Sequence, residues 1–159
     1  METNNADSGN KLSEFSAQIT QAVENAAASI VAIDARPRVA TSGIVWRENG
    51  VIVSTNHTIR RDDNITVAFA DGQTAKASVV GRDAGTDIAV LKIDDEEIAA
   101  SLKPANIIDT SEIKVGNIVL AVGRTSAEGK ATASFGIINN VGGAWQTWRG
   151  DGIERFNQK

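Results

Sequence analysis

The sequence holds a single histidine, His57, within Ser54-Thr55-Asn56-His57-Thr58-Ile59, directly after the apolar run Val51 to Ser54. Imidazole is the commonest general base near neutral pH, because its ordinary pKa lies close to that value. Further along, Asp87 opens the run Asp87-Ile88-Ala89-Val90-Leu91-Lys92-Ile93, with Gly85-Thr86 before it. A carboxylate at the mouth of a buried strand can hold the far nitrogen of an imidazole and fix its tautomer. Each residue also has a plainer reading. A lone His at a strand end is usually a surface or hydrogen-bonded residue, and an Asp ahead of a strand is usually a turn residue. The chain has no cysteine, which removes disulfides, thiolate metal sites and a cysteine nucleophile together.

Other candidate sites fail on spacing or context. Gly123-Arg124-Thr125-Ser126-Ala127-Glu128-Gly129-Lys130-Ala131 approaches a phosphate-binding loop, but five residues separate its glycines where the motif needs four, and Ala131 stands where Ser or Thr would meet magnesium. The segment after it, with Phe135, Ile137 and Ile138, reads as a strand rather than the helix N-terminus that would receive phosphate. Asp94, Asp95, Glu96 and Glu97 lack calcium-loop spacing and read as a solvated acidic turn. The patterns Asn56-His57-Thr58 and Asn64-Ile65-Thr66 match glycosylation acceptors and, without a secretory signal, are expected by chance. Trp145 and Trp148 follow a Gly142-Gly143 turn and read as packing residues.

The elements that must position His57 and Asp87 are mostly strands. Leu12, Phe15, Ile19, Ala22, Val23 and Ala26 recur at three- and four-residue steps, which makes one apolar stripe on a helix. After Ala28 the period changes to short apolar runs: Ser29 to Asp34, Gly43 to Trp46 and Val51 to Ser54. Ile65, Val67 and Phe69 alternate with smaller or polar residues and lead into Asp71-Gly72, read as a two-residue hairpin turn with a return strand from about Thr74 to Val80. Ile88 to Ile93 is apolar almost throughout and is expected to be buried on both faces. Six short strands at this spacing suit one small closed barrel of about 60 to 70 residues. Asp94 to Ser101 reads as a surface connection with a helical turn. A second set of strands follows at Ile118 to Val122, Ala131 to Val141 and Trp145 to Trp148, with Ile153 to Phe156 starting another. That second set stops short of a barrel, and an open sheet edge is something natural domains usually avoid. The edge suggests a further segment after Lys159.

As a block, these motifs resemble the first barrel of the HtrA/Deg proteases. The residues that carry the resemblance are Thr41-Ser42-Gly43-Ile44-Val45-Trp46, the strand with His57, Ile65-Thr66-Val67 with Asp71-Gly72, and Val79-Val80-Gly81-Arg82-Asp83 through Gly85-Thr86-Asp87-Ile88-Ala89-Val90-Leu91. Val115-Gly116-Asn117-Ile118-Val119-Leu120-Ala121-Val122-Gly123 resembles the strand that opens the second barrel, and Gly142-Gly143-Ala144-Trp145 with Arg155-Phe156 looks like a branch without a PDZ domain. The likeness runs over about residues 20 to 156. It implies an all-β, trypsin-like double barrel with a complete first barrel, an incomplete second one and an N-terminal helix. It also implies peptide-bond hydrolysis, with His57 as general base and Asp87 as its orienting partner, acting on unfolded or peptide substrates without metal or cofactor.

The likeness fails at the nucleophile. The family places its serine in a Gly-x-Ser-Gly-Gly segment whose backbone amides also form the oxyanion hole, and this sequence has no such segment. By resemblance it would lie roughly a dozen residues beyond Phe156. Ser42 precedes Gly43 in a first-barrel strand, Ser8 precedes Gly9 in a polar tail, and Ser54, Ser126 and Ser134 have no adjacent glycine. The chain as it stands is therefore expected to be inactive. The competing reading is a non-catalytic module that binds peptides by strand addition to the open edge of its second sheet.

Bulk properties bound the rest. With 159 residues, 42% of them hydrophobic, the chain can bury a sizeable core. The expected organisation is a disordered tail over 1–10, a helix over 11–28, the first barrel over 29–103 and the partial second barrel over 104–159. A formal charge of −4 without a basic block argues against nucleic acid, and no run is long enough to span a bilayer. Met1 to Asn10 lack the apolar core of a signal peptide, which reads as cytoplasmic, or as periplasmic or secreted if Met1 replaces such a peptide. Homo-oligomerisation is left open by the sequence.

Overall fold

The structure is a computed structural model, and it describes residues 5–35, 40–125, 130–142, 145–146 and 152–153. Helix α1 (Asn5–Ala27) leads into six strands: β1 (Ile30–Asp34), β2 (Thr41–Arg47), β3 (Val51–Thr55), β4 (Ile65–Ala68), β5 (Thr74–Asp83) and β6 (Ile88–Ile93). They close into one barrel in the order β1-β2-β3-β6-β5-β4, with β4 returning to β1. Closure leaves none of these strands with an open edge. Val31, Ile33, Val45, Ile52, Ile65, Val67, Ala77, Ala89, Leu91 and Ile93 fill the interior.

The helix starts at Asn5, well before the apolar stripe that begins at Leu12. Periodicity reports only the face a helix buries, so its polar leading turns carry no such signal. Three strand readings also change. First, β6 is not buried on both faces: Ala89, Leu91 and Ile93 are buried while Ile88 is 41% exposed and Val90 and Lys92 are half-buried. A closed barrel has one interior, so a strand in it alternates whatever its outer residues are. Second, the β4–β5 turn is not a two-residue one, since residues 70–72 lie between the bonded Phe69 and Gln73. Gly72 donates to Phe69 O, Phe69 N donates to Gln73 O, and Gly72 has φ of 85°. This is a turn followed by a left-handed glycine and a bulge, with Asp71 Oδ1 accepting from Gln73 N. Third, β5 runs past Val80 to Asp83, because a bulge between Val79 and Gly81 lets pairing with β6 continue.

Gly43 shows how tightly the interior is closed. A Cβ there would stand 2.5 Å from Ile33 Cδ1 and 2.8 Å from Ile52 Cγ2. The acidic stretch after β6 forms helix α2 (Glu96–Ser101), whose N-terminal amides at Glu97 and Ile98 are capped by the Asp95 carboxylate. Its Ala99 is buried against the barrel, with Ile98 and Leu102 packed beside it.

Beyond the barrel, β7 (Ile118–Arg124) and β8 (Ala131–Ile137) pair antiparallel from Ile118 with Ile137 to Arg124 with Ala131. A short pair, β9 (Trp145–Gln146) and β10 (Gly152–Ile153), follows. The expected second strand set is thus present as two-stranded sheets, with β8 ending at Ile137 rather than Val141. Gly143, Trp148, Phe156 and the start of the tail lie outside the described residues. So does the middle of the phosphate-loop near miss, although β8 begins at Ala131, where that motif would need a helix.

One side chain that the sequence did not single out fastens β7 to the barrel. Arg124 is 2% exposed, and its guanidinium donates to Ile30 O at 2.7 Å and Ala27 O at 2.9 Å. Ala27 ends α1, where carbonyls lack intrahelical donors and the helix dipole favours a cation. Desolvation pulls the arginine's pKa below its ordinary value. Ser42 Oγ accepts from Arg124 N at 2.9 Å, so β2 and β7 meet through a serine hydroxyl.

Candidate active site

His57 and Asp87 are distant in sequence and meet because β3 and β6 are neighbours in the barrel. Their ladder runs from Val51 with Lys92 to Thr55 with Ile88. One step past that last pair, Asn56 N donates to Asp87 O at 2.9 Å. His57 then sits in a single 3-10 turn, Asn56–Thr58. The turn is closed by its own threonines: Thr58 Oγ1 donates to Thr55 O at 2.8 Å and lies 2.8 Å from Thr55 Oγ1. Ile59, buried at 3% exposure, anchors the chain immediately after it.

Asp87 grips this turn with both carboxylate oxygens. Oδ1 accepts from the His57 backbone N–H at 2.8 Å, and Oδ2 lies 2.6 Å from His57 Nδ1. The bonds from the His57 side chain and then its backbone hold the Asp87 carboxyl below its ordinary value of 3.8. Asp87 is therefore ionised at neutral pH and can only accept hydrogen bonds. The hydrogen between the two side chains belongs to Nδ1, which leaves the Nε2 lone pair free in the neutral ring. Nε2 makes no hydrogen bond to another described residue, and the His57 side chain is 67% exposed. Such an imidazole can take a proton at Nε2 while the carboxylate steadies the resulting cation.

Asp87 is also the turn residue that its position ahead of a strand suggests. Its φ is 58°, in the left-handed region that Asp tolerates better than most residues. The turn before it is shaped by Asp83, whose carboxylate accepts from Gly85 N at 2.9 Å and Thr86 Oγ1 at 2.7 Å. The segment on the His57 side is held by Arg82, which donates to Asn56 Oδ1 at 2.7 Å and Ile59 O at 2.9 Å. Neither role was legible in sequence, since an Arg-Asp pair at a strand end resembles any solvated strand end.

The other candidate residues are not gathered here. Ser42 Oγ is engaged by Arg124, and Ser54 Oγ donates to Ser42 O at 2.8 Å inside the barrel wall. Ser134 lies on β8 opposite Ala121, Ser8 lies in α1, and Ser126 falls outside the described residues. Among the described residues no three His, Cys, Asp or Glu side chains gather in an arrangement that would hold a metal ion. No helix among them is long and apolar enough to cross a membrane.

Comparison with known proteins bears on what this barrel is. Residues 41–157 match the family model of the trypsin-like peptidase domain. The chain belongs to that family. Within it, the chain is 36% identical over 107 residues to a probable periplasmic serine endoprotease, DegP-like, of Rhizobium meliloti, covering 67% of this chain and 20% of that protein. It is 37% identical over 102 residues to the serine protease Do-like HtrA of Lactobacillus helveticus, covering 62% of this chain and 24% of that protein. To the serine endoprotease DegS of Haemophilus influenzae it is 36% identical over 116 residues, covering 73% of this chain and 32% of that protein. The chain thus spans between a fifth and a third of these HtrA-related proteases. The trypsin-like family match begins in β2 and takes in His57, Asp87 and the β7–β8 pair.

Proposed function

We propose that this chain supplies the general base and its orienting carboxylate for serine-type peptide-bond hydrolysis. The observation that carries the reading is the two-point grip of Asp87 on His57, through Nδ1 at 2.6 Å and the backbone N–H at 2.8 Å. In this reading His57 Nε2 takes the proton of a serine hydroxyl as it attacks the scissile carbonyl. It later returns that proton to the leaving amine, and Asp87 stabilises the imidazolium between the two steps. Relatives whose names describe serine endoproteases support protein or peptide substrates. The sequence contains no Gly-x-Ser-Gly-Gly segment, so the 159-residue chain by itself is expected to hydrolyse nothing.

Casein hydrolysis by two proteins tests this. The 159-residue chain should show no turnover, and turnover that disappears in His57→Ala would overturn that expectation. A chimera joining this chain's residues through Phe156 to the serine-bearing remainder of the Haemophilus influenzae DegS should hydrolyse casein. In it Asp87→Asn should cost on the order of 10⁴ in kcat, as expected when the tautomer is lost. An active chimera indifferent to Asp87→Asn and to His57→Ala would contradict the assignment.

A second reading, peptide binding by strand addition, is favoured by one observation. Among the described residues β8 pairs only with β7, and Phe135 and Ile137 on it are 56% and 60% exposed. Binding of an extended peptide that survives Asp87→Asn would support it.

A further inference from the structure

The bulge in β5 decides where Arg82 goes. Ala75 and Ala77 are buried on the inner face, and Val79 packs against the core with Leu91 as its cross-strand partner. Strict alternation would continue with odd-numbered residues and turn Arg82 outward. Instead Val80 is the extra residue, 63% exposed, and pairing resumes with Gly81 opposite Val90 and Arg82 opposite Ala89. Directly paired residues share a face, and Ala89 is fully buried, so the bulge puts Arg82 on the face of β5 that pairs with Ala89, near the end of the strand.

There the guanidinium meets the segment that carries His57. Nη1 donates to Asn56 Oδ1 and Ile59 O at 2.7 and 2.9 Å, Nη2 to Arg61 O at 3.0 Å, and Nε to Asp62 Oδ1 at 2.9 Å. These acceptors flank His57 on both sides, and the Arg82 side chain is only 30% exposed. The segment has one 3-10 turn of regular structure, and an exposed imidazole on such a segment stays on its partner only if the backbone beneath it is fixed. A planar fork with five N–H donors can bind several acceptors at fixed mutual angles, and an ammonium cannot.

We propose that Arg82 is a positioning residue for the His57–Asp87 pair, clamping residues 56–62 so that His57 Nδ1 stays on the carboxylate. The proposal rests on the reading of that pair as base and orienter. Asp83, the next residue, shapes the turn that presents Asp87, so one strand end sets both partners.

The test is carboxyl-carbon NMR titration of Asp87 in the full 159-residue chain, together with thermal unfolding. In the wild type, His57→Gln should raise the Asp87 midpoint toward an ordinary carboxylate, because the largest cause of its lowering is the His57 side chain. Arg82→Met should raise it in the same direction, and Arg82→Lys should raise it less. Val67→Ala, a core substitution remote from the pair, should lower the unfolding temperature without moving the Asp87 midpoint. An Asp87 midpoint unmoved by Arg82→Met overturns the clamp. Where the Met variant does not fold, Arg82→Lys carries the same test, and a wild-type midpoint in it overturns the clamp equally. If His57→Gln leaves Asp87 unmoved, the pairing itself fails and takes the clamp with it.

Discussion

The Asp87 carboxylate spans the side chain and the backbone of a single residue: Oδ2 lies 2.6 Å from His57 Nδ1 while Oδ1 accepts the His57 N–H at 2.8 Å. The backbone bond fixes where the histidine starts, and the side-chain contact fixes which nitrogen carries the hydrogen. Together they make a preset tautomer rather than a casual ion pair.

That arrangement gives a signed pH dependence. A carboxyl whose folded pKa lies below its ordinary value adds stability that is fully present above the ordinary value, and that stability is lost as pH falls through the folded value. Asp87, Asp83 and Asp109 are all lowered from 3.8 by hydrogen bonds they accept. Stability should therefore hold down to about pH 4 and fall below it. Urea unfolding between pH 6 and pH 2 reads this, and Asp87→Asn should show a shallower acid decline than the wild type.

Gly43 has no room for a side chain, since a Cβ would press on Ile33 at 2.5 Å and Ile52 at 2.8 Å. Ile52 Cγ2 branches at the β-carbon and cannot swing away without changing its rotamer. Gly43→Ala should destabilise the chain by about 1–3 kcal/mol, the usual range for overpacking a core. Chemical denaturation checks this through a lower midpoint at unchanged slope.

Arg124 fastens β7 through charge-assisted bonds to two carbonyls, Ala27 O at the end of α1 and Ile30 O in β1. Arg124→Met would fill similar volume and leave Ala27 O and Ile30 O without that donor. The expected loss is at least about 2 kcal/mol, from two under-bonded buried acceptors. Hydrogen exchange should show β7 amides losing protection before those of β3 and β6, which do not depend on this contact.

Much of the barrel could be read from sequence, because each strand alternates or runs apolar between turn residues, and His57 and Asp87 could be named from the motifs around them. Their meeting could not be read from patterning alone. It depends on β3 pairing with β6, two strands separated by the β4–β5 hairpin, and long-range pairing leaves no local periodicity. The bulge at Val80 was equally hidden, since Val79-Val80-Gly81 reads as the end of a strand. Patterning therefore ends β5 near Val80 rather than Asp83 and gives Arg82 no direction. The role of Arg124 leaves no local signal because its partners lie on α1 and β1, far away in sequence. The apolar look of β6 misled for a different reason, since outward-facing Ile88 and Val90 carry no mark that distinguishes them from core residues.

The most direct measurement is the nitrogen NMR spectrum of His57, recorded where the imidazole is neutral. As the only histidine, it gives one pair of ring nitrogen signals. The expected result is hydrogen on Nδ1 and a bare Nε2, with that preference weakened in Asp87→Asn. Hydrogen on Nε2 in the wild type would leave no lone pair where a serine hydroxyl must be met, and would contradict the role assigned to the His57–Asp87 pair.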